Sequence, residues 1–560
     1  MPAQAPSAAR PAVVVIGAGI NGAAIARRAA LGGLDVVLLE RDDIGGGTSA
    51  ASTRLIHGGL RYLEHGELGL VRESLREREA LLETAPHLVE PLGLHLPLYR
   101  GGRRRFWQIR IGLWLYDLLA AGLTGAGSLP EHRMLSREQL LERMPGLAPD
   151  GLVGGAYFFD AQIRYPERLV VENVLDAARC GARILNHTRA ARVLVDGGAV
   201  RGVEWQGADG SRGRVPADVV INAAGPWIDD VIESVLGAAG GSEPAPDRVP
   251  LIGGTKGSHL VVEPFRGAPA SAVYSEAASD GRPFFVIPWN GLYLIGTTDV
   301  RYDGDPGEAT ISEAELRYLV SETERLFPGA ALAQHIRYTQ AGIRPLPYRP
   351  GEIEGAITRR HLIHAHREPR GLYSIIGGKL TTHRSLAAQV LARLSRDGLV
   401  PGGRRPAERA PLPGTADEPK RAALLGELGQ RFGAVTAGRL WNTYGGLTER
   451  LLTVIAQQPE LAAPAAPGSV LLRAELVRAI EAEWAGSLID VLQRRTMVGL
   501  GPDFGLDEAP AAADALVELA LWDRARAEEE LAAYRRHAAR FVASGPGGLS
   551  PSCRARSART

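Results

Sequence analysis

The sequence is poor in cysteine: Cys180 and Cys553 are its only two in 560 residues. That is too few for a disulfide framework and is compatible with a reducing cytoplasm. It also lacks any uninterrupted apolar run of about 18 residues, so no transmembrane helix is expected and membrane contact would have to be peripheral. The opening MPAQAPSAAR (1–10) has no apolar signal core and reads as a flexible lead. An excess of charge of one sign is missing too: a formal net charge of +1 gives no global attraction for nucleic acid, and none is expected as a partner. No Gly-x-Ser-x-Gly elbow stands at a strand–helix turn, which argues against serine-based hydrolysis. HLIHAH (361–366) looks like a metal cluster, but it lies in a strand-like run without Cys or carboxylate ligands, so no catalytic metal is expected.

What is present is an ordinary soluble composition, 45% apolar and 23% charged, at a length that favours two or three domains. The most informative stretch is VVVIGAGINGAAIARRAALGGLDVVLLE (13–40), read as strand, Gly-x-Gly-x-x-Gly turn, helix, strand and terminal acid. Gly17 makes the tight turn, Gly19 lets backbone approach a pyrophosphate, and Gly22 lets the helix pack against the strand. The helix N-terminus offers N–H groups and a positive dipole end to phosphate, and Glu40 can accept hydrogen bonds from ribose hydroxyls. The pattern indicates a dinucleotide site without distinguishing FAD from NAD.

The rest of the chain reads as a mixed α/β architecture assembled from separated segments. Residues 11–90, 150–230 and 340–400 carry the strand–turn–helix patterns of a Rossmann-like nucleotide-binding domain, including DVVINAAGPW and LYSIIGGKLTTHRSLAAQVLARL. Residues 91–149 and 231–339 form an inserted, β-rich substrate domain, with SHLVVE, FFVIPW and LYLIGTTDV as short strands. PGGRRPAERAPLPG (401–414) has linker composition. Residues 415–545 read as a C-terminal α-helical domain, in which Val477, Ile480, Trp484, Leu488 and Val491 share one helical face, and 546–560 reads as a disordered tail.

The loop TSAASTRLIHGGLRYLEHG (48–66) follows the ribose-binding strand. Thr48, Ser49 and Ser52 can bond phosphate oxygens, Gly58 and Gly59 let backbone lie against a flat ring, and His57 and Arg61, four apart, would share a face of a helix. With INGA after the first glycines, this loop resembles the FAD-dependent glycerol-3-phosphate dehydrogenases of the D-amino-acid-oxidase-like flavoprotein group. VVINAAGPW (219–227), TKGSHLVV (255–262), FVIPW (285–289), LIGTTDV (294–300), AGIRPL (341–346) and IIGGKLTTHR (375–384) resemble later signatures of that family in the same order. NTYGG (442–446) and LQRRTMVGL (492–500) are similar to its C-terminal helical domain. The sequence departs from the family pattern at Arg54, where a Lys is usual, and at His383, where relatives often carry an aromatic.

The resemblance implies non-covalent FAD, oxidation of sn-glycerol 3-phosphate to dihydroxyacetone phosphate, and electron transfer to membrane quinone. An oxidase using O₂ and an amine or hydroxy-acid oxidase are the alternatives. The expected phosphate ligands are Arg61 and Arg344, with Tyr62 adding a hydroxyl. His57, His259 and Lys379 are the candidate bases or substrate-oxygen ligands. FAD contacts are expected from Gly17, Gly19, Gly22, Glu40, Thr48, Ser49, Ser52, Gly58 and Gly59, from Ala224 and Gly225 of the AAGPW turn, and from Gly378, Leu380 and Thr381. Residues 100–123 pack Arg100, Arg103, Arg104, Arg105 and Arg110 beside Phe106, Trp107, Ile109, Ile111, Trp114 and Leu115, the composition of an interfacial anchor. The expected location is cytoplasmic, peripheral at the cytoplasmic membrane face. A homo-oligomer is left open, with assembly one role for the C-terminal helices.

Overall fold

The computed structural model describes residues 12–64, 66–123, 129–237, 249–352, 357–401 and 406–541. The expected flexible lead, residues 402–405 of the expected linker and the 546–560 tail lie outside these residues.

β1 (Ala12–Ile16), α1 (Ile20–Leu31) and β2 (Asp35–Leu39) form the strand–turn–helix–strand unit. The unbroken apolar run of β1 follows from its position between two layers. Val13 and Val15 pack with α1 and with helices Pro166–Arg179 and His383–Arg396, while Val14 and Ile16 pack with an antiparallel three-stranded sheet, Thr188–Asp196, Ala199–Gly207 and Arg212–Pro216. The sheet between those layers runs Leu362–Ala365, Leu372–Ile376, Val219–Asn222, β1, β2, Arg183–Leu185, parallel except for the first pair.

A second, ten-stranded sheet lies beside it and contains Thr255–Val262, Pro283–Trp289, Leu292–Gly296 and Ile336–Arg344. It also takes Leu152–Ile163 and residues 340–344, which the sequence patterns associate with the nucleotide layer. The reason is pairing: the 12-residue strand Leu152–Ile163 runs antiparallel along Val89–Tyr99, the long partner that satisfies its backbone. The chain re-enters the nucleotide layer at helix Pro166–Arg179. Strand Leu55–Ile56 pairs with Gln162 and Ala161, so the Ser/Thr-rich loop crosses from one sheet to the other. That crossing sets the site between the two sheets.

The C-terminal segment is helical, from Glu418–Tyr444 to Arg524–Ala539. Its expected continuous face over 477–491 is interrupted: helix Arg473–Glu481 ends, Trp484 takes a left-handed φ of +56°, and a π-helical turn, Asp490–Arg495, follows. Asp490 forces the new start by accepting the Gly486 and Ser487 N–H groups at 2.8 and 2.9 Å. Leu488 and Val491 are buried nonetheless.

Gly22 tests the α1 approach. A Cβ there would lie 1.8 Å from the Gly17 carbonyl oxygen, a backbone atom that cannot step aside. Gly22→Ala is expected to cost on the order of 3 kcal/mol through overpacking, read as a lowered urea midpoint at constant slope.

Candidate functional site

The dinucleotide unit opens into a cleft of about 360 Å³. Gly17 has φ +99°, and a Cβ on it would lie 2.8 Å from the Ala223 carbonyl oxygen, so both conformation and space require glycine. A Cβ on Gly19 would meet only Ser49 Oγ, at 3.5 Å, which leaves its bare face to the cleft. Gly22 acts behind the cleft, in the helix–strand contact. Glu40 accepts the Ala18 N–H at 2.7 Å and the Asp42 N–H at 2.9 Å, and burial raises its carboxyl to about 7.

Ser49 Oγ accepts the Ile20 N–H at 3.0 Å, at the start of α1. The Thr48 hydroxyl donates to the Ile343 carbonyl at 2.6 Å, and Ser52 Oγ accepts the Arg54 N–H at 3.2 Å. Ala224, Gly225, Gly378 and Leu380 complete the walls. Asn21 Oδ1, also on the cleft, is buried without a hydrogen-bond partner. A glycine-walled cleft at a helix N-terminus, with a ribose-side carboxyl and an unsatisfied acceptor, fits FAD.

A second cavity, of about 340 Å³, shares Thr48, Ser52, Pro345, Gly378, Lys379 and Leu380 with the first. It is lined by His57, Arg61, Tyr62, His259, Arg344 and Lys379, and by Thr381, whose Oγ1 accepts the His57 N–H at 3.3 Å. His259 and Arg344 stand on strands Thr255–Val262 and Ile336–Arg344 of the second sheet, and the others come from the crossing loop and the turn at 378–381.

One local expectation changes. His57 and Arg61 are not on one helix, because a strand ends at Ile56, Gly59 is left-handed at φ +79°, and a short 3-10 turn spans Leu60–Leu63. The Gly58 N–H donates to Tyr116 Oη at 2.9 Å and Asp160 Oδ1 at 3.2 Å, and a Cβ on Gly59 would strike the Tyr62 ring. Arg54 is buried and forks onto Glu167 at 2.8 and 3.0 Å beneath the Trp289 ring, so its charge is used inside the protein.

The cavity is rich in positive charge held in a low dielectric. Lys379 Nζ lies 3.7 Å from the Tyr62 ring centroid and 3.4 Å from Ser74 Oγ, and burial lowers its amine to about 7. Burial likewise raises the Tyr62 phenol. Arg344 donates to Asp299 Oδ1 at 3.0 Å and Thr297 Oγ1 at 2.9 Å, and burial lowers its guanidinium. Burial drives His57 to about 4 against the pull of Asp160, and drives His259 to about 3. His259 Nε2 sits 3.0 Å from Thr53 Oγ1, and its Nδ1 is buried without a hydrogen-bond partner.

The residues that sequence reasoning missed are Arg359, Asp299 and Asp160. Arg359 lines the cavity and donates to Asp299 Oδ2 at 2.8 Å, and its Nη1 is buried without a hydrogen-bond partner. Asp299 lay within the quoted LIGTTDV motif, whereas Arg359 belonged to no pattern. Among the described residues, Asp43, His187 and Asp490 have the composition of a metal site, but their carboxylates pair with Arg494 and Arg495. In HLIHAH, His361 bonds Gln389 at 3.0 Å and His366 bonds Ser374 at 2.9 Å.

The family described as FAD dependent oxidoreductase matches residues 12–384, and the C-terminal domain of alpha-glycerophosphate oxidase matches residues 406–527. The glycerol-3-phosphate dehydrogenase of Synechocystis sp. is 41% identical, across 94% of this chain and 96% of its own length. The aerobic glycerol-3-phosphate dehydrogenase of Escherichia coli (strain K12) is 36% identical, across 87% of this chain and 94% of its own. The solved glycerol-3-phosphate dehydrogenase of Bacillus halodurans, complexed with FAD, superposes with a TM-score of 0.76 at 26% identity, covering 95% of each chain.

The buried histidines make a pH prediction. An unfolded imidazole titrates near about 6.5, whereas His259 is held near 3 in the fold. The unfolded chain therefore binds the extra proton between these values, so stability is full at neutral pH and falls on acidification. Urea unfolding at pH 5 against pH 7.5 should show a loss of about 2 kcal/mol from this one group. His259→Gln should reduce the loss by that amount, and an unchanged pH slope would contradict the depressed value.

Proposed function

The chain belongs to the FAD-dependent glycerol-3-phosphate dehydrogenases, and from that membership we propose that it oxidises sn-glycerol 3-phosphate to dihydroxyacetone phosphate and passes the electrons to membrane quinone. FAD, held without a covalent tether in the glycine-walled cleft, supplies the acceptor for the C2 hydride. The observation that carries the substrate reading is the buried, unpartnered Arg359 Nη1 beside Arg344. Two guanidiniums share the single carboxylate of Asp299, which leaves positive charge that a phosphate dianion neutralises through charge-assisted, forked hydrogen bonds.

Arg61 is the third phosphate ligand in this reading, and the Tyr62 hydroxyl adds a donor. Lys379, held near 7, is matched to taking the C2 hydroxyl proton as the hydride leaves. His57, kept neutral by burial, donates its one ring N–H to the oxygen of the same hydroxyl and orients it. His259 bonds Thr53 and supports the wall of the cavity. Gly378, Leu380 and Thr381 would hold the flavin end of FAD where the two cavities meet.

Anaerobic mixing with sn-glycerol 3-phosphate should bleach the flavin absorbance, and a soluble quinone analogue should restore it. A flavin band that never bleaches would refute the substrate. Peroxide release in air without quinone would instead make the protein an oxidase. Arg344→Ala should raise KM roughly 10- to 100-fold, the scale of a lost charged hydrogen bond, and an unaltered KM would remove Arg344 from the phosphate site.

Helix Phe106–Ala120 is the proposed membrane contact, on the cytoplasmic face. Ile109, Leu113 and Tyr116 are buried, but the opposite face leaves Trp107, Ile111, Trp114 and Leu118 between 53% and 61% exposed. Arg100, Arg103, Arg105 and Arg110 flank that face for anionic headgroups, whereas Arg104 turns inward to Glu64 and Glu276. Among the described residues no helix is long and apolar enough to cross a membrane. The protein should float with anionic liposomes at low salt, and Trp114→Glu should abolish flotation; a wild-type protein that stays with the soluble fraction at low salt would refute the contact.

A further inference from the structure

The paired arginines of LQRRTMVGL lie far along the chain from the dinucleotide motif, yet they converge on it. Asp43 follows Glu40 by three residues, in the loop whose Arg41, Asp42, Asp43, Gly46 and Gly47 form one wall of the dinucleotide cleft. Arg495 forks onto the Asp43 carboxylate, with Nη1 to Oδ2 at 3.0 Å and Nη2 to Oδ1 at 2.7 Å, and Arg494 Nε donates to Oδ2 as well. Asn186 Nδ2 adds a fourth bond to Oδ1 at 2.7 Å. The Arg494 guanidinium lies against the loop: a Cβ on Gly46 would come within 3.8 Å of its Cζ. Asp43 is 2% exposed and Arg495 is fully buried.

The arginines are themselves anchored. Arg495 Nε donates to the Glu483 carbonyl at 2.7 Å, and the Glu483 carboxylate accepts Arg168 of helix Pro166–Arg179 at 2.6 and 3.1 Å. Arg494 also bonds Asp490, whose other oxygen holds His187 at 2.8 Å. A continuous chain of ion pairs and hydrogen bonds thus runs from a helix of the nucleotide layer, through the C-terminal segment, to the cofactor loop.

Resting on the flavoprotein reading above, we infer that Arg494 and Arg495 are positioning residues for FAD: the C-terminal domain is a clasp that keeps the loop after Glu40 closed over the dinucleotide. The physical argument has two parts. Asp43 without its guanidiniums would place an uncompensated buried carboxylate beside a pyrophosphate site, repelling the ligand. The loop would also lose the bonds that seat it, so its closed form would need to be restored at the expense of binding energy.

The test is FAD affinity of the full-length apoprotein, measured by flavin fluorescence quenching, alongside thermal unfolding of the apo and FAD-loaded forms. Arg494→Gln is the first variant because this side chain, 12% exposed, tolerates replacement better than Arg495. A Kd for FAD raised 10-fold or more, about 1.4 kcal/mol, with a smaller Tm gap between loaded and apo forms, is the expected result. Arg494→Lys, which keeps the charge, should recover most of the affinity. If apo Tm falls while the FAD Kd of the folded protein holds, the arginines are structural only and the clasp is overturned, with the dehydrogenase reading intact. A wild-type protein that binds no FAD overturns both.

Discussion

The close approach of α1 to the turn that precedes it is the constraint on which the rest of the site depends. With hydrogen alone at Gly22, the first turn of the helix rests on the Gly17 carbonyl, and its N-terminus is aimed along the end of β1 into the cleft. Ser49 reaches back to the Ile20 N–H and Glu40 to the Ala18 N–H, so the same turn draws in the strand and the loop that follow it. The loop then crosses to the second sheet at Leu55–Ile56. One backbone contact therefore sets where the cleft lies, where the crossing loop starts, and where the second cavity opens.

Electrostatics give that second cavity its chemistry. Burial lowers Lys379 and Arg344 because a charged group is poorly solvated there, and it keeps His57 and His259 neutral. Asp299 offsets part of the charge of Arg344 and Arg359 and fixes both forks in place. Burial opposes its ionisation, yet the two guanidiniums hold its carboxyl below the usual range. What remains is a cationic pocket in which Arg359 Nη1 is unsatisfied, joined at Gly378–Leu380 to a cleft shaped for a dinucleotide.

Buried ion pairs tie the C-terminal helices to this arrangement. Arg168–Glu483 and Arg495–Asp43 each carry at least one fully buried partner. Such pairs are weak sources of net stability, because desolvation consumes much of their Coulomb energy, but losing one partner is costly. Their effect is to permit a single docking geometry. That geometry brings the paired arginines to the loop after Glu40.

How much could be read in advance follows from the range of the forces involved. Short-range rules wrote β1, the glycine turn, α1 and the acid at Glu40 directly into residues 13–40, since each depends on neighbours within a few positions. The family-like motifs likewise pointed to His57, Arg61, Tyr62, His259, Arg344 and Lys379, all of which line one cavity. Periodicity misled where a tertiary contact outweighed it: the 477–491 spacing continues past Glu481, but Asp490 binds two backbone N–H groups and restarts the chain. Arg104 read as part of the cationic anchor, yet it pairs with Glu64 and Glu276, and Arg54 spends its charge on the buried Glu167. Arg359 carried no pattern at all, because its partner Asp299 lies 60 residues away. The sequence by itself determined the dinucleotide unit and the kinds of side chain available for phosphate chemistry. Only the tertiary structure decided which charges are spent on one another and which remain for a ligand, because pairing between distant segments depends on packing that no local spacing encodes.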